Sequence, residues 1–258
     1  GRMHRNYKEL TYESAIATYE RAYHFDNSLI LLYGDMDGER VLDFLDSEYL
    51  ADAGVNGTDL SAYEDPATED GHIELTAPVP AYEGSAVENA SRIDYAFSME
   101  ESGWEDLLSW MVLADILNQE NEAFFTNLKA QGIQNPAAVR METQTGKPYL
   151  EFALLYAQPE QAQAFKTAVQ DTLAQVAEQG VGPAVLQSTL KRTKTSFYLT
   201  RNQENVGVNA FPDLVNFWTH TGRTDYYELF EAVLDKLEAD GGQEIIRGLA
   251  ADARSAGR

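Results

Sequence analysis

Any catalytic reading of this sequence must begin with histidine, because cysteine is absent and imidazole is the remaining strong side-chain donor for zinc. The four histidines are His4, His24, His72 and His220. A hydrolytic zinc helix of the H-x-x-E-H type sets two histidines one turn apart with a glutamate between them. Both imidazoles then reach the metal while the carboxylate activates water. No two of the four histidines lie within a helical turn, and none is followed by Glu-His. The sequence therefore assigns no catalytic residue and no metal ligand. It also contains no G-x-S-x-G elbow, no G-x-G-x-x-G loop and no P-loop, which removes serine-hydrolase, dinucleotide and nucleoside-triphosphate chemistry.

Four weaker constellations remain. Asp35-Met36-Asp37-Gly38-Glu39 superficially resembles a calcium loop, but counting from Asp35 the required glycine falls at Arg40 and the terminal glutamate at Asp46. Asp115 is a lone carboxylate among apolar residues and is expected at an edge or paired with a cation rather than on a metal. Lys191, Arg192, Lys194 and Arg201 form the one basic cluster, on a predicted helix that also carries Phe197 and Tyr198. It reads as a solvated helix face. Phe211, Phe217, Trp218, Tyr226, Tyr227 and Phe230 could line a peptide cleft, but at these spacings they are expected to pack between helices. Substrate-binding residues are left unassigned.

The elements that would position such groups can be read from periodicity. Thr11 can cap a helix over about Thr11 to Tyr23, with Glu13 in its first turn and Ile16, Tyr19 and Tyr23 at helical spacing. After a turn at Asp26 and Asn27, Leu29-Ile30-Leu31-Leu32-Tyr33 is short and continuously apolar, the pattern of a buried strand that ends at Gly34. Asp37 is placed to cap a second helix with Val41, Leu42, Leu45, Tyr49 and Leu50 on one face. Residues 51–71 are acidic and Gly-rich without periodicity, and read as a connector. His72 to Thr76 reads as a short edge strand ended by Pro78 and Pro80.

From Ser91 a second unit begins. Ile93, Tyr95, Phe97 and Met99 alternate as a strand does, and Trp104 to Leu117 is apolar around most of its circumference, as a central buried helix must be. Strands near Ala138 to Thr143 and Pro148 to Ala157 flank a Gln144-Thr145-Gly146-Lys147 hairpin turn. Pro159 opens a helix that runs to Gly180 and Gly182. Three more helices are expected near Pro183 to Asn202, Phe211 to Thr219 and Asp225 to Ala239. This order predicts an α+β fold: an antiparallel sheet with helices packed on one side, built as a split β-α-β-β-α unit.

The order of helix, Tyr23-His24-Phe25-Asp26-Asn27, strand and Gly34-Asp35-Met36-Asp37 turn resembles the insulinase and pitrilysin superfamily of zinc metallopeptidases. The presequence-protease branch is the nearest match; there the segment reads Tyr-His-Pro-Ser-Asn, strand, Gly-Asp-x-Asp. Phe25 departs from it where the family has proline. Met111 to Gly132 and Thr189 to Leu229 are similar to later family segments, so the resemblance spans most of residues 10–235.

In relatives the zinc helix precedes this turn, so the resemblance implies that zinc belongs to an upstream part of a longer protein and that this chain holds no cofactor. The implied organisation is residues 1–50 as the tail of the zinc-bearing α+β unit and 51–90 as an acidic, extended connector. Residues 91–240 would be a companion non-catalytic α+β unit, and 241–258 a C-terminal helical segment leading to a second half. The implied function is the non-catalytic region of a zinc-dependent peptidase that degrades unfolded peptides in a closed chamber, contributing wall and peptide contacts. Alternatively, the chain is an inactive scaffold or binding subunit that pairs with a separate active subunit. In either case the chain alone is expected to be inactive, and its partners are the rest of the polypeptide or a homologous active subunit, together with peptide.

Charge narrows the partners further. With 42 acidic and 19 basic residues the net charge is −23, a field that repels phosphate backbones, so nucleic acid is not expected. At 258 residues and 44% hydrophobic content the chain can bury roughly 70% of its extended surface. No segment approaches the roughly 20 apolar residues of a membrane helix. A soluble, cytoplasmic protein is the expectation.

Overall fold

The computed structural model of the chain describes residues 8, 10–25, 28–32, 34–51, 73–76, 91–143, 147–201 and 206–256. These fall into two compact units, Gly1–Thr68 and Glu69–Arg258. The expected connector, His72 and the hairpin turn at 144–146 lie outside the described residues.

In the first unit, α1 spans Tyr12–Ala22. Its Thr11 cap forms a reciprocal pair with Ser14, in which each side chain accepts from the other's backbone N–H at 3.1 Å. α2 spans Gly38–Leu45, with Asp37 Oδ1 accepting from the Arg40 amide, and the chain continues as a π-type segment over Asp46–Leu50. Both caps fall where the sequence puts them. The strand expected at Leu29 to Tyr33 does not form in its described part. Leu29, Ile30, Leu31 and Leu32 are 41–46% exposed and pair with no other strand. A strand exists only through its neighbours' hydrogen bonds, and among the described residues of this unit no second strand is available. Residues 73–76 of the second unit, the described part of the strand expected over His72 to Thr76, likewise form no strand.

The second unit is built on a three-stranded antiparallel sheet in the order β1-β3-β2, formed by β1 (Ser91–Ser98), β2 (Ala137–Glu142) and β3 (Tyr149–Ala157). Its register explains why one face is covered. Tyr95 and Val139 both sit opposite Phe152, Phe97 and Met141 opposite Leu150, and Ile93 and Ala137 opposite Leu154, so one side is apolar throughout. The alternate residues Arg92, Asp94, Glu151 and Arg140 form the other face, where Arg92 donates at 2.7 Å to both Asp94 and Glu151. The expected α+β class, with a one-sided antiparallel sheet, is what the structure has.

α3 (Trp104–Leu117) is the central helix. Leu107, Leu108, Trp110, Val112, Leu113, Ile116 and Leu117 are all buried, and it touches β2 and the later helices at Pro183–Arg201, Tyr226–Glu238 and Gly242–Ala256. After a turn, α4 (Ala123–Ala130) contributes Phe124, whose ring meets Phe152 at 5.3 Å and Phe165 at 6.4 Å. α5 (Ala162–Gln179) follows a 3-10 turn at Pro159–Gln161 and packs along α9 (Gly242–Ala256). α6 (Pro183–Arg201), α7 (Val206–Thr221) and α8 (Tyr226–Glu238) complete the unit. α7 begins five residues before the expected Phe211 and runs through Pro212, which forfeits one backbone bond without ending the helix.

Two side-chain amides act as clamps. Asn118, at the end of α3, donates from Nδ2 to the Val139 carbonyl and accepts at Oδ1 from the Val139 amide, both at 2.8 Å. It thereby satisfies the outward-facing backbone of an edge strand, where a further strand would otherwise bond. Gln243 holds Val181 in the same two-bond manner at 3.1 and 2.9 Å. Asn118→Ala leaves both Val139 groups without these partners and is expected to cost about 1–3 kcal/mol. Urea unfolding should show a lower midpoint at an unchanged slope.

Candidate functional site

The groups singled out by sequence do not converge on one place. His24 lies in the first unit, where a ring nitrogen bonds the Glu20 carbonyl. His220 lies on α7, and its Nδ1 donates to the Asn216 carbonyl at 2.7 Å. Each is engaged by its own local backbone. His4 and His72 lie outside the described residues. Among the described residues no group of three or more His, Cys, Asp or Glu side chains is placed to hold a metal, and no helix is long and apolar enough to cross a membrane. Asp37 of the calcium-like run is spent on capping α2.

Asp115 behaves as the lone-carboxylate reading requires. It is exposed on α3, and its Oδ2 lies 3.4 Å from Arg192 Nη2 on α6. The basic cluster is dispersed by such pairings. Lys194 donates to Asp235 at 2.8 Å and Glu238 at 2.5 Å on α8, and its hydrogen bond to Asp235, then that to Glu238, hold its ammonium above the ordinary lysine range. Lys236 on α8 pairs in turn with Glu105 of α3. The side chain of Arg201 lies outside the described residues. What remains is an open concavity of about 520 Å³ along α6, lined by Ser188, Lys191, Arg192, Thr195, Ser196 and Leu199. Hydroxyls and cations can hold a carboxylate, but among its described lining residues no imidazole or carboxylate can act as a base.

Most of the described aromatic series is packing, as its spacing suggests, while the Phe211 side chain lies outside the described residues. Phe217 is fully buried and Tyr226 and Phe230 nearly so, with the Trp104 ring edge-on to Phe217 at 5.0 Å and Phe230 edge-on to Phe197 at 5.3 Å. Trp218 alone of the described series turns outward, at 38% exposure. Burial pushes the Tyr226 hydroxyl well above the ordinary tyrosine range, and the neighbouring Asp213 adds to the shift.

Asp213 itself has no ion pair among the described residues, and burial raises its pKa above the ordinary 3.8. The folded protein thus holds this proton to higher pH than the unfolded chain does. The contribution of Asp213 is most favourable below 3.8 and is lost as pH rises through the raised folded value. Asp213→Asn is therefore expected to raise Tm at neutral pH, with the gain disappearing on acidification, in thermal unfolding followed from neutral pH down to below 3.8.

The family described as the peptidase M16 inactive domain matches residues 9–192. Protein HypA of Clostridium perfringens is 23% identical over 235 residues, which make up 89% of this chain and 24% of that protein. The chain thus spans about a quarter of the length of this relative. A candidate zinc protease from Bordetella pertussis Tohama I superposes with a TM-score of 0.52 at 16% identity, covering 64% of this chain and 89% of that one. The inactive peptidase domain of a candidate zinc protease from Bordetella parapertussis gives 0.50 at 17% identity, over 63% and 85%.

Proposed function

The chain belongs to the peptidase M16 inactive-domain family, and from that premise we propose that it is the non-catalytic region of a longer zinc-dependent peptidase. In this reading the parent degrades unfolded peptides in a closed chamber, and this chain supplies chamber wall and peptide contacts. Residues 1–50 are the tail of the zinc-bearing unit, and residues 91–240 are its zinc-free companion. The Tyr23-to-Asn27 turn and the Gly34-to-Asp37 turn favour the presequence-protease branch.

One observation carries the proposal: a family match over residues 9–192 in a sequence without H-x-x-E-H. The histidines that are described bond local carbonyls, which supports a framework role over a worn-down metal site. A zinc contribution to the reaction would come from a helix elsewhere in the parent, where it would activate water.

The encoding reading frame is the direct test. H-x-x-E-H upstream of Met3 in the same polypeptide supports the proposal. A natural start at Met3, with no such motif in the frame, contradicts it and favours the inactive scaffold subunit, whose active partner would then co-purify.

A further inference from the structure

One face of α6 differs in chemistry from the rest of this acidic chain. Ser188, Lys191, Arg192, Thr195, Ser196 and Leu199 recur at three- and four-residue steps, so they form a single stripe beside the open concavity of about 520 Å³. That volume lies within the roughly 300–1,000 Å³ of small-ligand sites. Lys194 stands outside the stripe and is neutralised by Asp235 and Glu238. Lys191 has no ion pair among the described residues. Arg192 has Asp115 at 3.4 Å, but their side chains are 61% and 54% exposed, and such a surface pair is worth about 0–1 kcal/mol. It yields readily to a second carboxylate.

The hydroxyls are already oriented. Ser188 donates to the Val185 carbonyl at 3.0 Å and Thr195 to the Lys191 carbonyl at 2.8 Å. With their protons spent on the helix, they offer lone pairs and accept from N–H groups. The stripe therefore sets cations that hold a carboxylate one turn from an acceptor for an amide, and it ends in the mostly exposed Leu199.

We propose that this stripe binds the C-terminal end of an unfolded peptide, with the terminal carboxylate at Lys191 and Arg192, a backbone N–H at Thr195 and an apolar side chain against Leu199. The inference rests on the proposed function for its substrate class and names where the peptide contacts lie. Spacing favours a main-chain carboxylate over that of an Asp or Glu side chain. Lys191 to Thr195, and Thr195 to Leu199, are each about 6 Å along a helix axis, close to the roughly 6.6–6.8 Å between alternate residues of an extended peptide. A side-chain carboxylate on the same cations stands off its own backbone and lifts the N–H groups away from Thr195. The net charge of −23 repels polyanions. A peptide with a cationic body and a free C-terminus suits both the field and the stripe.

Fluorescence anisotropy of a labelled Lys-rich peptide with apolar residues near its end, titrated with the 258-residue chain, tests it. The free acid should bind at least about tenfold more tightly than the same peptide made as the C-terminal amide. Equal binding of acid and amide overturns the proposal, as does binding by neither. Equally tight binding of an amide that carries an internal Glu assigns the cations to side-chain carboxylates and overturns it too.

Lys191→Gln should remove the preference for the acid at an unchanged Tm, and Lys191→Arg should keep it. Lys129→Gln on α4 removes the same charge elsewhere and should leave the preference intact; its loss there would make the effect one of net charge and contradict a site on α6. If the full polypeptide cleaves peptides while the chain shows no preference, this inference fails and the functional proposal stands. If the reading frame lacks H-x-x-E-H while the preference and its dependence on Lys191 hold, the reverse is true.

Discussion

Phe152→Ala is expected to destabilise the second unit by about 3–5 kcal/mol, a large share of the roughly 5–15 kcal/mol that holds a typical domain together. Phe152 is fully buried at the middle of the central strand, opposite Tyr95 on one neighbour and Val139 on the other. Its ring is edge-on to Phe97 at 6.1 Å and to Phe124 at 5.3 Å, so it joins the sheet to the helical layer. Truncation removes the apolar surface and leaves a cavity that three elements must collapse to fill. The matched control is Leu42→Ala on α2, where the side chain is 60% exposed and the expected change is within about 0.5 kcal/mol. Urea denaturation of both variants reads the contrast directly. Similar losses from the two would mean that the first unit has a core of its own.

The second large effect concerns substrate charge. On the proposed function this chain contributes wall to a chamber, and its formal charge is −23. Such a field raises the local concentration of cationic ligands and speeds their encounter by about 10- to 1000-fold in favourable cases. Salt shortens its reach to about 10 Å at 0.1 M. The full polypeptide should therefore cleave an unfolded Lys/Arg-rich peptide at least about tenfold faster, in kcat/KM at low salt, than an acidic peptide of equal length. The ratio should fall steadily as salt is raised. An unchanged ratio across salt, or a preference for the acidic peptide, would remove the acidic surface from substrate selection.

Much of the second unit could be read in the sequence because each of its elements repeats a period that the core enforces. Trp104 to Leu117 is apolar around most of its circumference, and it lies in the middle of the unit with its expected bounds intact. Ile93, Tyr95 and Phe97 alternate, and they line the covered face of the sheet. What periodicity cannot report is where a chain turns on a polar residue. The segment Met111 to Gly132 divides into α3 and α4 around Asn118 to Glu122, and the signal was Asn118 itself, whose amide leaves the helix to bond β2.

The first unit shows the opposite failure. Leu29 to Leu32 reads as a buried strand, but its side chains are exposed and unpaired, because an apolar run is a local signal while the hydrogen-bond partners that make a strand are not local. Candidate sites were legible by elimination. Asp115 and Lys194 find opposite charges across helices that sequence could not place side by side. Of the aromatic run, Phe217, Tyr226 and Phe230 turn inward as their helical spacing implied, Trp218 does not, and the Phe211 side chain lies outside the described residues.

The central claim is that hydrolytic machinery lies outside this chain and the fold here is framework. Metal analysis of the gel-filtered 258-residue chain after zinc loading, with a fluorogenic peptide assay on the same fractions, tests it most directly. The account predicts no stoichiometric zinc and no cleavage by the chain alone, with both present in the full polypeptide. Zinc retained at one equivalent together with peptide cleavage by the chain itself would contradict it.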